Sequence, residues 1–270
     1  EISVRDWSSD VCSSDLAPPP GVFWSKMSAS SHTRGHGLAK DHTRAVLAWL
    51  EAAGRRVVNG RRVLELEMSK VDQLTALRAA GFDVPRTYAV VGAADLAAVA
   101  RKLPVPFVCK HNQGGKGFGV RRFDSVDELA ELAGYDGSPD GITLVQEYVE
   151  PAEPFITRVE IVGGELVYAI KADTGRGGFE LCPADACAAD DAPLFSLRAD
   201  FDHPIIERYL EFAARHGIDI AGFEFIETTD GRMVTYDINT NTNYNPAVEA
   251  VAPRSGPRMI ARFLRDCLEK

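Results

Sequence analysis

Long apolar runs are missing from this chain: no stretch of its 270 residues approaches the roughly 18 consecutive apolar positions that a membrane-crossing helix needs. No membrane partner is therefore expected. Cysteine is scarce, five in all, and the only close pair, Cys182 and Cys187, has no second pair with which to complete a four-ligand zinc site. No secretory signal is visible, so the expectation is reduced thiols and a cytoplasmic location. Positive charge is in deficit, with 30 Lys and Arg against 39 Asp and Glu, which argues against a nucleic-acid partner. No internal repeat appears. Residues 1–16, with Ser-Ser-Asp twice and no periodicity, read as translated sequencing adapter joined to a truncated reading frame.

What remains is ordinary for a globular chain, 45% hydrophobic and 26% charged. A strand over 22–24, a polar loop over 28–37, a helix over 40–53 and a strand over 57–58 make a small α/β layer. The loop carries His32, Arg34 and His36, and reads either as a mobile polar loop or as a place where Arg34 holds a substrate anion. A helix over 69–80 follows, with Ser69 at the N-cap and Asp72 three residues later. Next come a strand over 84–91, a helix over 93–102, strands over 105–110 and 120–123, a helix over 125–133 and a strand over 143–149. Strands over 155–161 and 166–172 flank the turn Gly163-Gly164 and hold Arg158 and Lys171 in apolar company. Residues 173–200, rich in Gly, Asp and Pro, read as a long ordered loop, and helices over 203–216 and 257–268 bracket the most informative stretch.

That stretch is 222–245. Two alternating runs flank Asp230-Gly231, a dipeptide suited to a two-residue hairpin turn. Such a turn puts Glu224 opposite Asp237 and Gly222 opposite Asn239, with Phe223, Phe225, Tyr236 and Ile238 on the other face. Directly opposed carboxylates repel, and a divalent cation reverses the sign of that interaction; Glu224, Asp237 and Asn239 offer the hard oxygen donors that Mg²⁺ prefers. A hairpin with a solvated acidic face is the plainer alternative.

A second feature is the run 111–120, in which Gly114, Gly115, Gly117 and Gly119 allow a backbone to approach phosphate oxygens while Lys116 adds charge. It is not a Walker loop, because Lys110 and Gly117 stand where that motif needs Gly and Ser or Thr, and a strand rather than a helix follows. A flap lying over a nucleotide and a flexible hairpin without a ligand both fit.

Taken in order, these elements resemble the ATP-grasp superfamily from about Met68 to Lys270. Lys70 opens the helix after the linker, Lys110 ends a strand in Pro-Phe-Val-Cys-Lys, the glycine flap spans 113–119, and Gln146-Glu147-Tyr148-Val149 resembles the hinge strand whose backbone meets adenine. The metal triad of that family falls on Glu224, Asp237 and Asn239. The resemblance implies an α/β (α+β) ATP-grasp fold of two α+β subdomains clasping a nucleotide, 67–145 with the flap and 146–270 with the metal site, preceded by a partial pre-ATP-grasp α/β domain over 17–66. It is nearest in kind to glutathione synthetases and the ligases that add glutamate to peptide ends.

It further implies ATP and Mg²⁺, with Mn²⁺ as an alternative, and a ligase joining a small carboxylate to an amine, an amino acid or peptide, through an acyl phosphate. Glu147, Tyr148, Val149 and Glu153 would line the adenine and ribose. Glu224 and Asp237 exchange the acid types usual in the family. Gly222 stands where D-alanine ligases carry Arg, which leaves that cationic task to Arg158 or Lys171. A non-catalytic nucleotide-binding regulator and a kinase of the same fold stay open as alternatives, as does a homo-oligomer.

Overall fold

The computed structural model describes residues 17–115, 117, 119–131, 138–175 and 194–270, so the adapter-like segment, Lys116, Cys182 and Cys187 lie outside the described residues. Strands β1 (Val22–Trp24) and β2 (Arg56–Val58) pair in parallel across helix α1 (Ala39–Ala52). Leu47 and Leu50 of α1 pack there on Ala29, Val57, Leu64 and Met68. Helix α2 (Arg61–Met68), which the sequence reading did not identify, leads directly into α3 (Lys70–Ala79). Ser69 is the residue between them, and its hydroxyl caps α3 by accepting from the Asp72 amide as expected.

The next layer is antiparallel. It consists of β3 (Thr87–Val91), α4 (Leu96–Ala100), β4 (Phe107–His111), β5 (Arg121–Phe123), α5 (Val126–Glu131) and β6 (Ile142–Glu147), with sheet order β3-β6-β4-β5. Phe107, Phe123, Cys109 and Val145 turn one face of this sheet onto Leu96, Ala100 and Leu129 of the helices.

The remainder is a five-stranded antiparallel sheet in the order β11-β10-β7-β8-β9. Its strands are β7 (Phe155–Val162), β8 (Glu165–Asp173), β9 (Phe195–Leu197), β10 (Ile220–Glu227) and β11 (Met233–Asn239), with α6 (Ile205–His216) before β10 and α7 (Pro246–Glu249) and α8 (Gly256–Leu268) after β11. Within 173–200, expected to be loop throughout, β9 pairs with Ile170–Ala172 and closes the sheet edge. One face, carrying Val159, Ile161, Ala221, Phe223, Phe225 and Ile238, packs on Tyr209 and Phe212 of α6 and on Leu66 and Leu77 of α2 and α3. The other face is split. Its far end, with Val162, Ile170 and Ile220, is covered by Met259 and Ile260 of α8, and its near end is polar.

The hairpin turn differs from expectation in a way that matters at this polar end. Glu227 pairs with Met233, and the Thr228 amide donates to Arg232 O at 3.0 Å, so the loop is the three residues 229–231, with Gly231 at φ 82° in its last position. Strand pairing near the turn is therefore one residue out from a two-residue turn. A bulge between Glu224 and Phe225 takes up the extra residue, and beyond it the pairs are Glu224 with Asp237 and Gly222 with Asn239. The two departures cancel.

Burial makes a chemical prediction. Cys109 is 0% exposed in the middle of the four-stranded sheet, and burial pushes its thiol up to about 12, which leaves roughly one thiolate in ten thousand at pH 8. Cys267 lies half-buried near the end of α8. Iodoacetamide followed by peptide mass spectrometry should label Cys267 in the native protein and Cys109 only with denaturant; equal labelling rates would contradict this packing.

Candidate functional site

The site grows out of strand pairing. On the polar near end of the five-stranded sheet, Glu224 of β10 lies between Asp237 of β11 and Arg158 of β7, and Gly222 lies between Asn239 and Glu160. Alternation puts all six on the face opposite α6. Asn239 Nδ2 donates to Glu224 Oε1 at 3.0 Å, so the three expected metal ligands converge.

Tyr236 is the correction. It was expected among the apolar residues, but as the extra residue of the bulge it turns to the site face and its hydroxyl donates to Glu224 Oε2 at 2.8 Å. Phe223, Phe225 and Ile238 do face the core.

Three cations from three different elements offset these acids. Lys70, at the start of α3, donates directly to Asp237 Oδ1. Arg158 bridges Glu160, with Nε to Oε1 at 2.6 Å, and Glu224, with Nη1 to Oε1 at 3.2 Å, and its Nη2 donates to Thr242 Oγ1. Lys110 arrives from β4 of the other sheet and lies 5.9 Å from the centre of the Tyr236 ring. The electrostatics follow from burial and sign. Burial raises the Glu224 carboxyl above the usual carboxylate range despite Arg158. For Asp237 burial acts in the same sense, but Lys70 and Lys110 outweigh it and the carboxyl lies below its usual range. Burial first, and then the positive charge of Lys70, bring Lys110 down to about 7. Arg158 is held above its ordinary value, because Glu160 and Glu224 outweigh its desolvation.

Gly222 explains how Arg158 fits. A Cβ at that position would lie 2.3 Å from Arg158 Nε, so the missing side chain is the space the guanidinium occupies. Of the two candidate cations, the structure places Arg158 of β7 in this cluster. Lys171 is not brought in: it pairs with Thr157, on the α6 side of the sheet, and its ammonium sits 4.1 Å from the Phe155 ring centre.

The glycine run is rooted beside this cluster. Asn112 accepts from the Lys70 and Val71 amides, at its carbonyl (3.2 Å) and at Oδ1 (2.9 Å), so the strand end after Lys110 is bolted to the helix start that presents Lys70. Gly117 and Gly119 have φ of 74° and 72°, and a Cβ on Gly119 would strike the His111 ring at 2.6 Å. Gly114 is buried, and Gly115 approaches Ser30 of the 28–37 loop, with 3.7 Å between its notional Cβ and Ser30 Cβ. Arg34 Nη1 donates to Ser30 Oγ at 3.1 Å and Lys40 Nζ to Gln113 Oε1 at 2.8 Å, which ties the N-terminal layer to the flap. In the hinge, Glu147 is engaged by the Arg86 amide at 2.9 Å, Tyr148 is covered by Arg122 at 4.7 Å, and Val149 follows the strand end; Glu153 is exposed.

Sequence reasoning missed Glu160, Thr242 and Glu67. Glu160 is two residues from Arg158 on the same strand face, a signal that was available; Thr242 Oγ1 donates to it at 2.8 Å from a loop whose path no pattern marks. Among the described residues no group of three or more His, Cys, Asp or Glu is placed to hold a metal. The donor set here is instead two carboxylates and an amide, all oxygen donors, and it fits a hard divalent cation.

No protein-family model matches the chain. It is 26% identical over 229 residues to a probable α-L-glutamate ligase 1 of Pseudoalteromonas atlantica, covering 82% of this chain and 71% of that protein. It is 22% identical over 222 residues to the ribosomal protein bS6–L-glutamate ligase of Salmonella newport, covering 82% and 70%. The crystal structure of a RimK domain protein ATP-grasp from Sphaerobacter thermophilus superposes with a TM-score of 0.62 at 18% identity, over 90% of this chain and 80% of that one. The fold is the ATP-grasp fold, and the chain is a distant relative of the α-L-glutamate ligases over most of its length.

Two measurements probe the charge cluster. Gly222→Ala should expel the Arg158 guanidinium and leave Glu160 and Glu224 buried without it, lowering the urea unfolding free energy by about 3 kcal/mol; an unchanged midpoint would contradict the arrangement. Lys110 has a folded-state value near 7, below the roughly 10.4 of an unfolded lysine, so between those values the unfolded chain binds more protons and stability rises with pH. The unfolding free energy of wild type relative to Lys110→Met should therefore increase from pH 7 to pH 10.

Proposed function

We propose that the chain is an ATP-dependent carboxylate-amine ligase that forms an amide or peptide bond through an acyl phosphate and releases ADP and phosphate. The observation that carries this is the convergence of Glu224, Asp237 and Asn239 with Lys70, Lys110 and Arg158 at the root of a glycine-rich hairpin. Lys70 and Lys110 hold the triphosphate, and the amides of Gly114, Gly115, Gly117 and Gly119, with Lys116, close over it. The backbone of Glu147, Tyr148 and Val149 receives the adenine, and Glu153 stands towards the ribose. The Glu147 side chain and amide are both engaged by Arg86, so adenine recognition falls to the remaining main-chain groups of 147–149.

Phosphoryl transfer asks for positioning and charge neutralisation rather than a protein nucleophile. The substrate carboxylate attacks the γ-phosphorus and ADP leaves; the amine then attacks the acyl carbon, phosphate leaves, and the surplus amine proton passes to solvent. Arg158 neutralises oxygen charge at this centre. Glu224, Asp237 and Asn239 would hold Mg²⁺, which would supply Lewis-acid neutralisation of phosphate oxygens. The substrate class is an amino acid or peptide carboxylate and an amine, supported by the kinship to glutamate ligases. We assign the loop 28–37 to the acceptor side, because Ser30 approaches Gly115 and accepts from Arg34, a cation suited to a substrate carboxylate.

The test is Mg²⁺-dependent ADP release measured with and without an amino-acid panel, with mass spectrometry of products. Amine-dependent turnover with an amide product is expected; a phosphorylated hydroxyl product would make it a kinase, and nucleotide binding without turnover a regulator. Glu224→Gln and Asp237→Asn should each reduce turnover at least about a hundredfold, as loss of a charge-stabilising group does, with unchanged circular dichroism. Full activity in both would remove the metal assignment.

A further inference from the structure

Strand β11 carries two of the three proposed metal ligands, yet it is an edge strand, with β10 on one side and, among the described residues, only an isolated parallel bridge between Asp83 and Val234 on the other. An unpaired edge exposes alternate backbone N–H and C=O groups and leaves the position of the strand weakly fixed. Near the turn the Thr235 amide donates to the Asp83 carbonyl at 2.8 Å, but at the ligand end the outer edge is filled by side chains. Gln73 of α3, only 1% exposed, accepts from the Ile238 amide at 3.0 Å and donates to the Ile238 carbonyl at 2.9 Å and to Leu66 O at 2.8 Å. Two residues further, Glu67 of α2 accepts from the Thr240 amide at 2.9 Å and from its hydroxyl at 2.8 Å. Asn59 donates to the Thr240 carbonyl at 3.0 Å and to Ile220 O at 2.7 Å, and accepts from the Ile220 and Asp219 amides at 3.1 Å and 3.0 Å.

Ile238 and Thr240 alternate with Asp237 and Asn239. Each clamped residue is thus the chain neighbour of a proposed ligand. The clamp is costly to build. Asn59 is the one non-glycine residue at positive φ, 51°, among the described residues, and burial raises the Glu67 carboxyl above its usual range. Neither feature helps the hydrophobic core; both groups bond Thr240, and Asn59 also ties the start of β10 to the same point. Glu67 also accepts from the Ala29 amide at 3.2 Å, so the same carboxylate reaches the loop that borders the flap.

We propose that Asn59, Glu67 and Gln73 are positioning residues that stand in for a missing neighbouring strand and hold β11 so that Asp237 and Asn239 face Glu224. The proposal rests on the metal reading above. Its function is divalent-cation affinity, not stability alone: the donors must be set before the cation arrives, and partners of this kind are worth about tenfold or more in metal affinity.

The test uses Mn²⁺ as probe, followed by electron paramagnetic resonance on the full chain, with amide hydrogen exchange read in parallel on the metal-free protein. Gln73→Leu keeps the volume and removes both bonds to Ile238. It should weaken Mn²⁺ binding about tenfold and speed exchange at Ile238 while leaving the four-stranded sheet protected. Gln73→Glu, which keeps the acceptor for the Ile238 amide, should fall between. Should Gln73→Leu fail to fold, Glu67→Met, which removes the acceptor for both the Thr240 amide and its hydroxyl, should show the same loss of Mn²⁺ affinity with faster exchange at Thr240. Wild-type Mn²⁺ binding with affinity within twofold in the folded variants defeats the proposal alone. No Mn²⁺ binding by wild type, or binding untouched by Asp237→Asn, defeats the metal reading and the proposal with it.

Discussion

Two carboxylates placed side by side on adjacent strands repel, and the pair Glu224 and Asp237 sets the terms for the rest of the molecule. In water the repulsion would be modest, but Glu224 is only 5% exposed, and a low-dielectric setting strengthens every charge interaction. The offset comes from Lys70 at the start of α3, Lys110 from the four-stranded sheet and Arg158 from β7, three parts of the chain far apart in sequence. Closing the site and closing the tertiary structure are therefore one event. Lys110 of the four-stranded sheet reaches Tyr236 of the five-stranded one, and the α2 and α3 segment is bonded to both, at Asn112 and at Ile238.

How much of this could be read in the sequence depended on whether the information was local. Opposed Glu224 and Asp237 followed from alternation and a turn dipeptide, and so did the inward Phe223, Phe225 and Ile238. The register at the site was right although the turn and the pairing next to it were not, because a bulge compensates for the longer loop, and nothing in 222–245 marks Tyr236 as the residue that swings out. Helix α2 was hidden by its own pattern: Leu64, Leu66 and Met68 alternate with Glu65 and Glu67 as a strand would, and packing on both the α1 layer and the α6 face decided for helix. Arg158 and Lys171 looked alike in sequence, and only the pairing of Thr157 with Lys171 shows that they lie on opposite faces. Ser69 capping α3 was legible because a cap is made within three residues.

The edge of β11 shows a different economy. Proteins commonly protect an edge with charge, bulges or a covering helix. Here α2 and α3 do cover it, and Gln73, Glu67 and Asn59 reproduce along it the donor and acceptor alternation a strand would have offered. A covering strand would have occupied the place where Lys70 enters. Side chains fill the hydrogen bonds of Ile238 and Thr240 and leave the helix start free to present its ammonium to Asp237.

The buried charge cluster is not a device for stability. Removing an ion pair from water costs more than its attraction usually returns, and apolar residues of similar volume would serve a core as well or better. Glu160 at 2% and Glu224 at 5% exposure, bound through one guanidinium, are about as unfavourable a filling as this sheet could have, directly beside an end where α8 covers the same face with Met259 and Ile260. The same sheet face thus shows both solutions a few residues apart. The polar end is therefore not accounted for by what it stabilises, which is why we read it as built to hold a ligand. Lys110 makes the same point from the opposite side. An ammonium brought down to about 7 by burial and by Lys70 is poorly satisfied by the acids around it, and a dense negative group such as a phosphate is the partner that would restore its charge.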